Sequence, residues 1–302
     1  MARKITPVLD IQTVCPDEPF EHLKMAPFSN IACTLTEFDE MHRHRYFEIL
    51  FLVNGSGIHY IDMEKYAYTG PVVFMLSPGQ VHKIQQHEPS EGFIVRFLPS
   101  QFSNEAEFMD FVHDTCLFDC TTLRPLITVP SSQSGLLQDF FTKLYEEYSN
   151  RQEDSEKLIS SWLKIIITHI NRIKRSTQGP SISITDPQYA LFRLYRIEVQ
   201  KHFRTAHSVQ FYADRLYTQA RTLNAVCRKF SDRSAGEFIQ DRILLEAKRA
   251  LYHNEQPVKQ IGYDLGFDDP AYFTRFFKKH TGLSPQEYRS EKYKSNASLS
   301  IL

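Results

Sequence analysis

The chain has 302 residues, 42% of them hydrophobic and 24% charged, with a formal net charge of −1. That balance belongs to globular proteins with ample cores and excludes disordered, collagenous and membrane-bundle classes; the length predicts two or three domains rather than one. The basic start, Met1 to Pro7, is followed by no apolar leader, and the apolar cluster Trp162–Ile170 is interrupted by Lys164 and His169. A cytoplasmic protein with no membrane partner is therefore expected. Cys15, Cys33, Cys116, Cys120 and Cys227 are odd in number, scattered and without a CxxC pair. Reduced, packed thiols are expected, not disulfides or a zinc ribbon.

Residues 30–98 read as β structure. Ile31–Phe38, Phe47–Val53, Ile58–Ile61, Val72–Leu76 and Phe93–Leu98 are β-branched and aromatic runs, separated by Asn54-Gly55, Gly70-Pro71, Ser77-Pro78-Gly79 and Glu91-Gly92. Many short strands at that spacing predict a sandwich or small barrel. Past Pro125 and Pro130 the apolar period lengthens to that of a helix. Leu136, Leu137, Phe140, Phe141, Leu144, Tyr145 and Tyr148 form one stripe; Leu158, Ile159, Trp162, Leu163, Ile166, Ile170 and Ile173 form another. These predict two amphipathic helices, near 136–149 and 156–175, joined by the charged turn Asn150–Glu156. Each stripe is wider than one partner helix covers, so the pair is assigned to dimerisation, with Trp162, Ile166 and Ile170 as contacts. Ser176 to Ser181, containing Gly179-Pro180, reads as a linker.

From Asp186 onward every signal is helical. Ser208 precedes Val209, Tyr212, Ala213 and Leu216; Ser234 with Glu237 forms a capping box; Pro257, Pro270 and Pro285 suit first turns, and Gly282 suits a helix end. Residues 186–302 hold 19 Lys/Arg against 13 Asp/Glu, while 1–185 hold 16 against 23, so the C-terminal part is the one suited to a polyanion. Two segments there look like copies: Tyr212-Ala-Asp-Arg-Leu216 followed by Leu223, and Ile261-Gly-Tyr-Asp-Leu265 followed by Phe273. Each predicts a helix-turn-helix. With Leu223, Val226 and Phe230 inward, the second helix of the first copy presents Arg221, Asn224 and Arg228. That of the second presents Ala271, Thr274, Arg275 and Lys278 outside Phe273, Phe276 and Phe277. Arg suits guanine edges and phosphates, Asn suits adenine, and neither face carries an acid, which predicts double-stranded DNA as partner.

The stretch Ile261-Gly-Tyr-Asp-Leu-Gly-Phe-Asp-Asp-Pro-Ala-Tyr-Phe-Thr-Arg-Phe-Phe-Lys-Lys-His-Thr-Gly-Leu-Ser-Pro-Gln-Glu-Tyr-Arg289 closely resembles the signature of AraC-type transcriptional regulators, and residues 190–290 resemble that family's whole DNA-binding domain. The resemblance implies seven helices in two helix-turn-helix units joined by one long helix, here about Ala235–His253, with both reading helices entering successive major-groove segments. At ~1.5 Å per residue that helix spans about 28 Å. Departures from the family pattern are Tyr217 and Thr218 in a turn where glycine is common, Asp232 where glycine usually ends the helix, Ala225 at an often basic position, and Gly262 in place of alanine.

In the β region, period two puts His42, His44 and Glu48 on one strand face, away from Ile49, Phe51 and Val53, and His82 can join them from a later strand. Such a set suits a divalent transition metal. It also resembles the cupin HxH-x3-E-x6-G motif, ending at Gly55, and the later PG-x-x-H motif, though the Asn expected after that His is missing. The reading adopted is a polar effector pocket lined by these residues beside Tyr46, Phe51 and Tyr60, with no metal or other cofactor. The fold class expected is α+β multidomain: a cupin-like β-barrel, an amphipathic helix pair and a C-terminal all-α domain with two helix-turn-helix units. The assigned divisions are 1–125 for ligand sensing, 126–178 for dimerisation, 179–185 as linker, 186–290 for DNA binding and 291–302 as tail. The function expected is a homodimeric, effector-responsive transcriptional regulator without enzymatic activity. The alternative is a metal-dependent cupin enzyme or metal sensor fused to a DNA-binding domain.

Overall fold

Short alternating strands open the chain: Val8–Leu9 (β1), Leu23–Pro27 (β2), His42–His44 (β3), Phe47–Leu52 (β4), Ser56–Ile61 (β5), Glu64–Thr69 (β6), Val72–Leu76 (β7), Val81–Glu88 (β8), Gly92–Phe97 (β9) and Leu126–Thr128 (β10). The computed structural model describes residues 7–11, 20–28, 41–62, 64–102, 104–115, 117–118, 124–177, 187–253 and 256–290. These fall into two units, one within Thr6–Ser181 and one within Ile182–Leu302. The expected strand Ile31–Phe38, Cys15, Cys33, Cys116, Cys120 and the 291–302 tail lie outside the described residues; Cys227 is a buried free thiol.

The strands form two five-stranded sheets, ordered β1-β3-β8-β5-β6 and β10-β7-β4-β9-β2. They are the two halves of an open, cupin-like barrel. Alternation along β4 explains its two cores: Leu50 and Leu52 point between the sheets and pack with Ile61, Tyr68 and Ile84 of the other sheet, whereas Phe47, Ile49 and Phe51 point to the outside of their own sheet. The Asn54-Gly55 turn between β4 and β5 needs its glycine. Gly55 has φ +83°, and a Cβ there would lie 2.3 Å from the Ser90 hydroxyl.

Helices cover that outer face. Glu105–Thr115 (α1), Ser131–Asn150 (α2) and Ser155–Thr177 (α3) share one apolar core with the second sheet. Phe141 of α2 stacks on Phe51 at 5.1 Å and on the half-buried Phe93 at 5.8 Å between ring centroids, the fully buried Phe51 and Phe141 each contributing roughly 1.5–3 kcal/mol. This corrects part of the dimer assignment. Ile166 and Ile170 are fully buried in that core, because the face of α3 that carries them meets the unit's own sheet and helices, so neither is free to meet a second chain.

The second unit contains Pro187–His202 (α4), Val209–Arg215 (α5), Ala220–Ser231 (α6), Ala235–His253 (α7), Val258–Asp264 (α8) and Pro270–Thr281 (α9), then a short helical segment over 285–290. One core holds Phe192, Tyr195, Tyr212, Leu223, Phe238, Ile261, Phe273 and Phe277. Among the described residues no helix is long and apolar enough to cross a membrane.

Candidate functional site

Two places concentrate polar chemistry. The first is inside the open barrel. In β3, His42 and His44 are buried and Arg43 between them is half-buried, as period two requires. His82 stands opposite His42 in the β3–β8 register, with ring centroids 4.2 Å apart, and His44 lies edge-on to His82 at 5.0 Å. Glu48 reaches in from the other sheet. Its cross-strand neighbour is Arg96, whose Nε donates to Glu48 Oε2 at 3.0 Å, and both side chains are at most 5% exposed. The four sequence-selected residues His42, His44, Glu48 and His82 are thus brought together in the interior, with Tyr46 stacked on His44 at 4.2 Å.

Two other expected residues are not there. Phe51 lies on the opposite face of β4 against Phe141, since an odd step from Glu48 crosses the strand. Tyr60 faces the outside of its sheet, where the ammonium groups of Lys65 and Lys83 lie 5.5 and 4.9 Å from its ring centroid. Its neighbour His59 takes the interior place, fully buried, 4.5 Å from the Phe74 ring and with Nε2 3.0 Å from His82 Nδ1. The one sequence signal for His59 is its even spacing from Ile61, also interior.

Burial sets the protonation of this cluster. Desolvation, only partly opposed by Glu48, pulls His44 from 6.5 to about 4. Desolvation with His42 and His44 beside it takes His59 to about 3 and His82 well below 6.5. All three are neutral near pH 7. His44 Nδ1 lies 2.7 Å from the Tyr46 carbonyl, so that nitrogen carries the proton and Nε2 a lone pair.

The second place is built twice. Helices α5 and α8 each have seven residues, and α6 and α9 each have twelve; α8 starts 49 residues after α5, and α9 starts 50 after α6. Each pair is joined by a sharp turn and packs by Leu223, Val226 and Cys227 or by Phe273 and Phe277. The outward positions correspond: Arg221, Thr222, Ala225, Arg228 and Lys229 in α6, and Ala271, Tyr272, Arg275, Lys278 and Lys279 in α9, all exposed.

Residues 31–166 match the family described as AraC-like ligand binding domain, and residues 212–291 match the family described as helix-turn-helix domain. The chain belongs to the AraC-type transcriptional regulators. It is 20% identical over 249 residues to the transcriptional activator RhaS of Escherichia fergusonii, covering 82% of this chain and 86% of that one. It is 22% identical over 243 residues to the arabinose operon regulatory protein of Salmonella typhimurium, covering 79% and 81%. Unsaturated fatty acid bound ToxT of Vibrio cholerae aligns at 16% identity over 90% of this chain and 97% of that one, with a TM-score of 0.40. That score is too low for its ligand to bear on this chain.

Within α6 and α9 two of the residues expected from sequence to read bases are otherwise engaged. The Asn224 amide donates to the Ala220 carbonyl at 2.9 Å and accepts from the Ala235 N–H at 3.1 Å, so it ties α6 to the first turn of α7. Thr274, at the matching position, bonds back to the Pro270 carbonyl at 2.9 Å. Both are half-buried. Thr222, Ala225, Lys229, Tyr272 and Lys279 were not selected from sequence although they share the exposed face; a one-residue rotation of the helical wheel separates the two assignments. Arg221, Arg228, Ala271, Arg275 and Lys278 remain outward, with Arg275 3.5 Å from the Asp269 carboxylate.

Proposed function

We propose that this AraC-type regulator receives its effector in the buried cluster of the barrel unit and reads DNA with α6 and α9 in unequal shares. The carrying observation is that two helices at a fifty-residue offset present matching exposed faces with no acidic residue on either. Arg221 and Arg228 offer bidentate contacts to base edges, while Ala271 leaves α9 to lean on Arg275, Lys278 and Lys279 for phosphate contacts. Arg221→Ala should weaken a matched site by ~1–3 kcal/mol and a scrambled site little. Lys278→Ala should weaken both alike and flatten the salt dependence. Retardation assays on both sites at several salt concentrations test this; equal losses for Arg221→Ala remove it as the sequence reader.

The reading extends to a homodimer, with sensing assigned to 1–125, the helix pair of 126–178 as the seam and DNA binding assigned to 186–290. Leu136, Leu158 and Ile165 are 41–48% exposed, and Trp162, against Phe140 at 6.1 Å, lies on the same side of α3 as Leu158 and Ile165. This outer stripe replaces Ile166 and Ile170 in the assignment. Leu158→Asp with Ile165→Asp should halve the solution mass and leave the circular dichroism unchanged.

A further inference from the structure

The segment 203–207 precedes the first helix-turn-helix copy in the chain and touches the second in space. Its shape is set locally: the N–H groups of Thr205 and Ala206 both donate to the His202 carbonyl at 2.9 Å. The Ala206 carbonyl accepts from the Tyr212 hydroxyl at 2.8 Å, which fastens the segment to α5. On its other side the Arg204 carbonyl oxygen lies so near Gly266 that a Cβ there would come within 2.1 Å of it. His207 Nε2 donates to the Leu265 carbonyl at 2.8 Å, and its ring lies 4.9 Å from that of Phe267. The Phe267 ring in turn is 5.2 Å from those of Phe273 and Phe276 in α9. Resting on the proposal that α6 and α9 read DNA, we infer that segment 203–207 is a lateral tie between the two copies, with His207 as its positioning residue, and that it restricts the protein to one spacing between the two DNA segments those helices enter.

Helix α7 connects the copies along the chain, and its 19 residues fix a length but not the rotation of one copy about that axis. A tie at the side removes this freedom. Arg204 anchors the tie to α7 by pairing with Glu246, and the Arg242 guanidinium of α7 lies 3.9 Å from the centroid of the buried Phe203 ring, a cation–π contact. Segment 203–207, α7 and the turn at Gly266 thereby close a frame. One base pair of a duplex is about 3.4 Å of rise and ~34° of rotation, and a displacement of that size at the tie carries the 2.8 Å bond from His207 to Leu265 beyond hydrogen-bonding distance. In the opposite direction the Arg204 carbonyl against Gly266 leaves no room. Following a site lengthened by one base pair therefore requires the tie to break, and a chain that keeps it intact meets the wrong bases with one of its two helices.

The test uses the full chain, a duplex that it selects from random-sequence DNA, and the same duplex with one base pair inserted between the two segments it protects from cleavage. Because misplaced bases weaken binding severalfold each, the native chain should bind the lengthened duplex more weakly by about tenfold or more. His207→Leu, which keeps an apolar contact with Phe267 but has no donor, should shrink that ratio to about threefold or less, and His207→Gln, which returns a donor, should restore it to within about twofold of native. Should His207→Leu not fold, Arg204→Met, which frees the segment from Glu246, is read in the same way. A native chain that binds both duplexes alike overturns the tie. So does a folded variant that loses affinity for both in parallel with the ratio kept, which is what a merely structural role produces. Binding sensitive to Arg221→Ala and Lys278→Ala but indifferent to spacing leaves the reading helices standing and removes the tie alone; insensitivity to both substitutions removes the reading helices and the tie with them.

Discussion

The two helix-turn-helix units share a backbone plan but reach it by different local means. In the second, Gly266 takes the left-handed turn conformation at φ +81°, Asp269 caps α9 through the N–H groups of Ala271 and Tyr272, Pro270 occupies the first turn, and Gly282 ends the helix at φ +81°. Each residue suits its place intrinsically. In the first, Tyr217 at φ +50° and Asp232 at φ +54° hold the corresponding conformations against their side chains, and Gln219 caps α6 with no side-chain bond. The first unit is held by its surroundings: Tyr195 donates to the Ala235 carbonyl at 2.6 Å, and Asn224 fastens the start of α7. Local sequence therefore specifies the second unit, and tertiary packing imposes the first.

The largest expected effect falls on the charge cluster that joins the two. Glu246 of α7 accepts from Arg242 at 2.9 Å, lies 3.7 Å from Arg249 and pairs with Arg204. Glu246→Ala would leave two arginines, each at most 6% exposed, facing one another without their shared carboxylate, a loss of about 4 kcal/mol. Burial raises the Glu246 pKa, but Arg242, Arg249 and Arg204 outweigh it and hold the group below its ordinary 4.5. Since the folded value is the lower one, this stability is complete above pH 4.5 and is lost as pH falls through the folded value. Denaturation of wild type and Glu246→Gln from pH 7 to 3 should show the difference between them shrinking in that window. A parallel pair of curves would place the cluster outside the folding energetics.

Next in size is Gly266→Ala. A Cβ at Gly266 would lie 2.1 Å from the Arg204 carbonyl oxygen, and the neighbouring Leu265 carbonyl accepts from His207 at 2.8 Å, so the turn has no room to shift. The left-handed backbone and the clash together cost about 3 kcal/mol. Urea unfolding of the purified variant should show a lower midpoint with an unchanged slope. A loss under 1 kcal/mol would mean that the second unit is as dependent on its surroundings as the first.

Legibility in the sequence follows the range of each contact. The Ser234–Glu237 capping box, Ser208, Pro270 and Gly282 are read correctly because their partners lie within three or four residues. His42 and His44 are legible because strand period fixes their face, but the single strand face expected to carry Glu48 with them does not form: the chain bends at 45–46, and Glu48 meets them from β4 in the other sheet. Tyr60 and His59 are exchanged because Ile58 and Ile61 flank them on opposite faces, leaving the phase of β5 undetermined. Ile166 and Ile170 show that an apolar stripe announces burial but not against what. Asn224 eludes the sequence for a related reason, since the N–H it satisfies, that of Ala235, is eleven residues away. Asn224→Ala should accordingly cost about 1 kcal/mol of stability, as a lost helix cap does, and leave the ratio of matched to scrambled DNA affinity unaltered. A changed ratio would return Asn224 to the reading face.

The smallest expected effect has the opposite sign. Tyr217 is 98% exposed and sits at φ +50° in the turn where the second unit has Gly266. Its left-handed backbone costs a non-glycine residue ~1–2 kcal/mol, whereas a glycine there adds back ~0.5–1 kcal/mol through the freer unfolded chain. Tyr217→Gly should therefore stabilise the fold by about 0.5 kcal/mol, and Tyr217→Ala, which keeps the backbone cost, should change it little. The pair of variants also separates strain from contact. If the exposed ring meets the DNA backbone, both substitutions weaken matched and scrambled sites together; if the residue is only a strained turn, Tyr217→Gly raises the unfolding midpoint and DNA affinity holds. A destabilised Tyr217→Gly chain would mean that the first unit's turn is held by the ring itself, and the contrast drawn between imposed and intrinsic turns would fail at its simplest point.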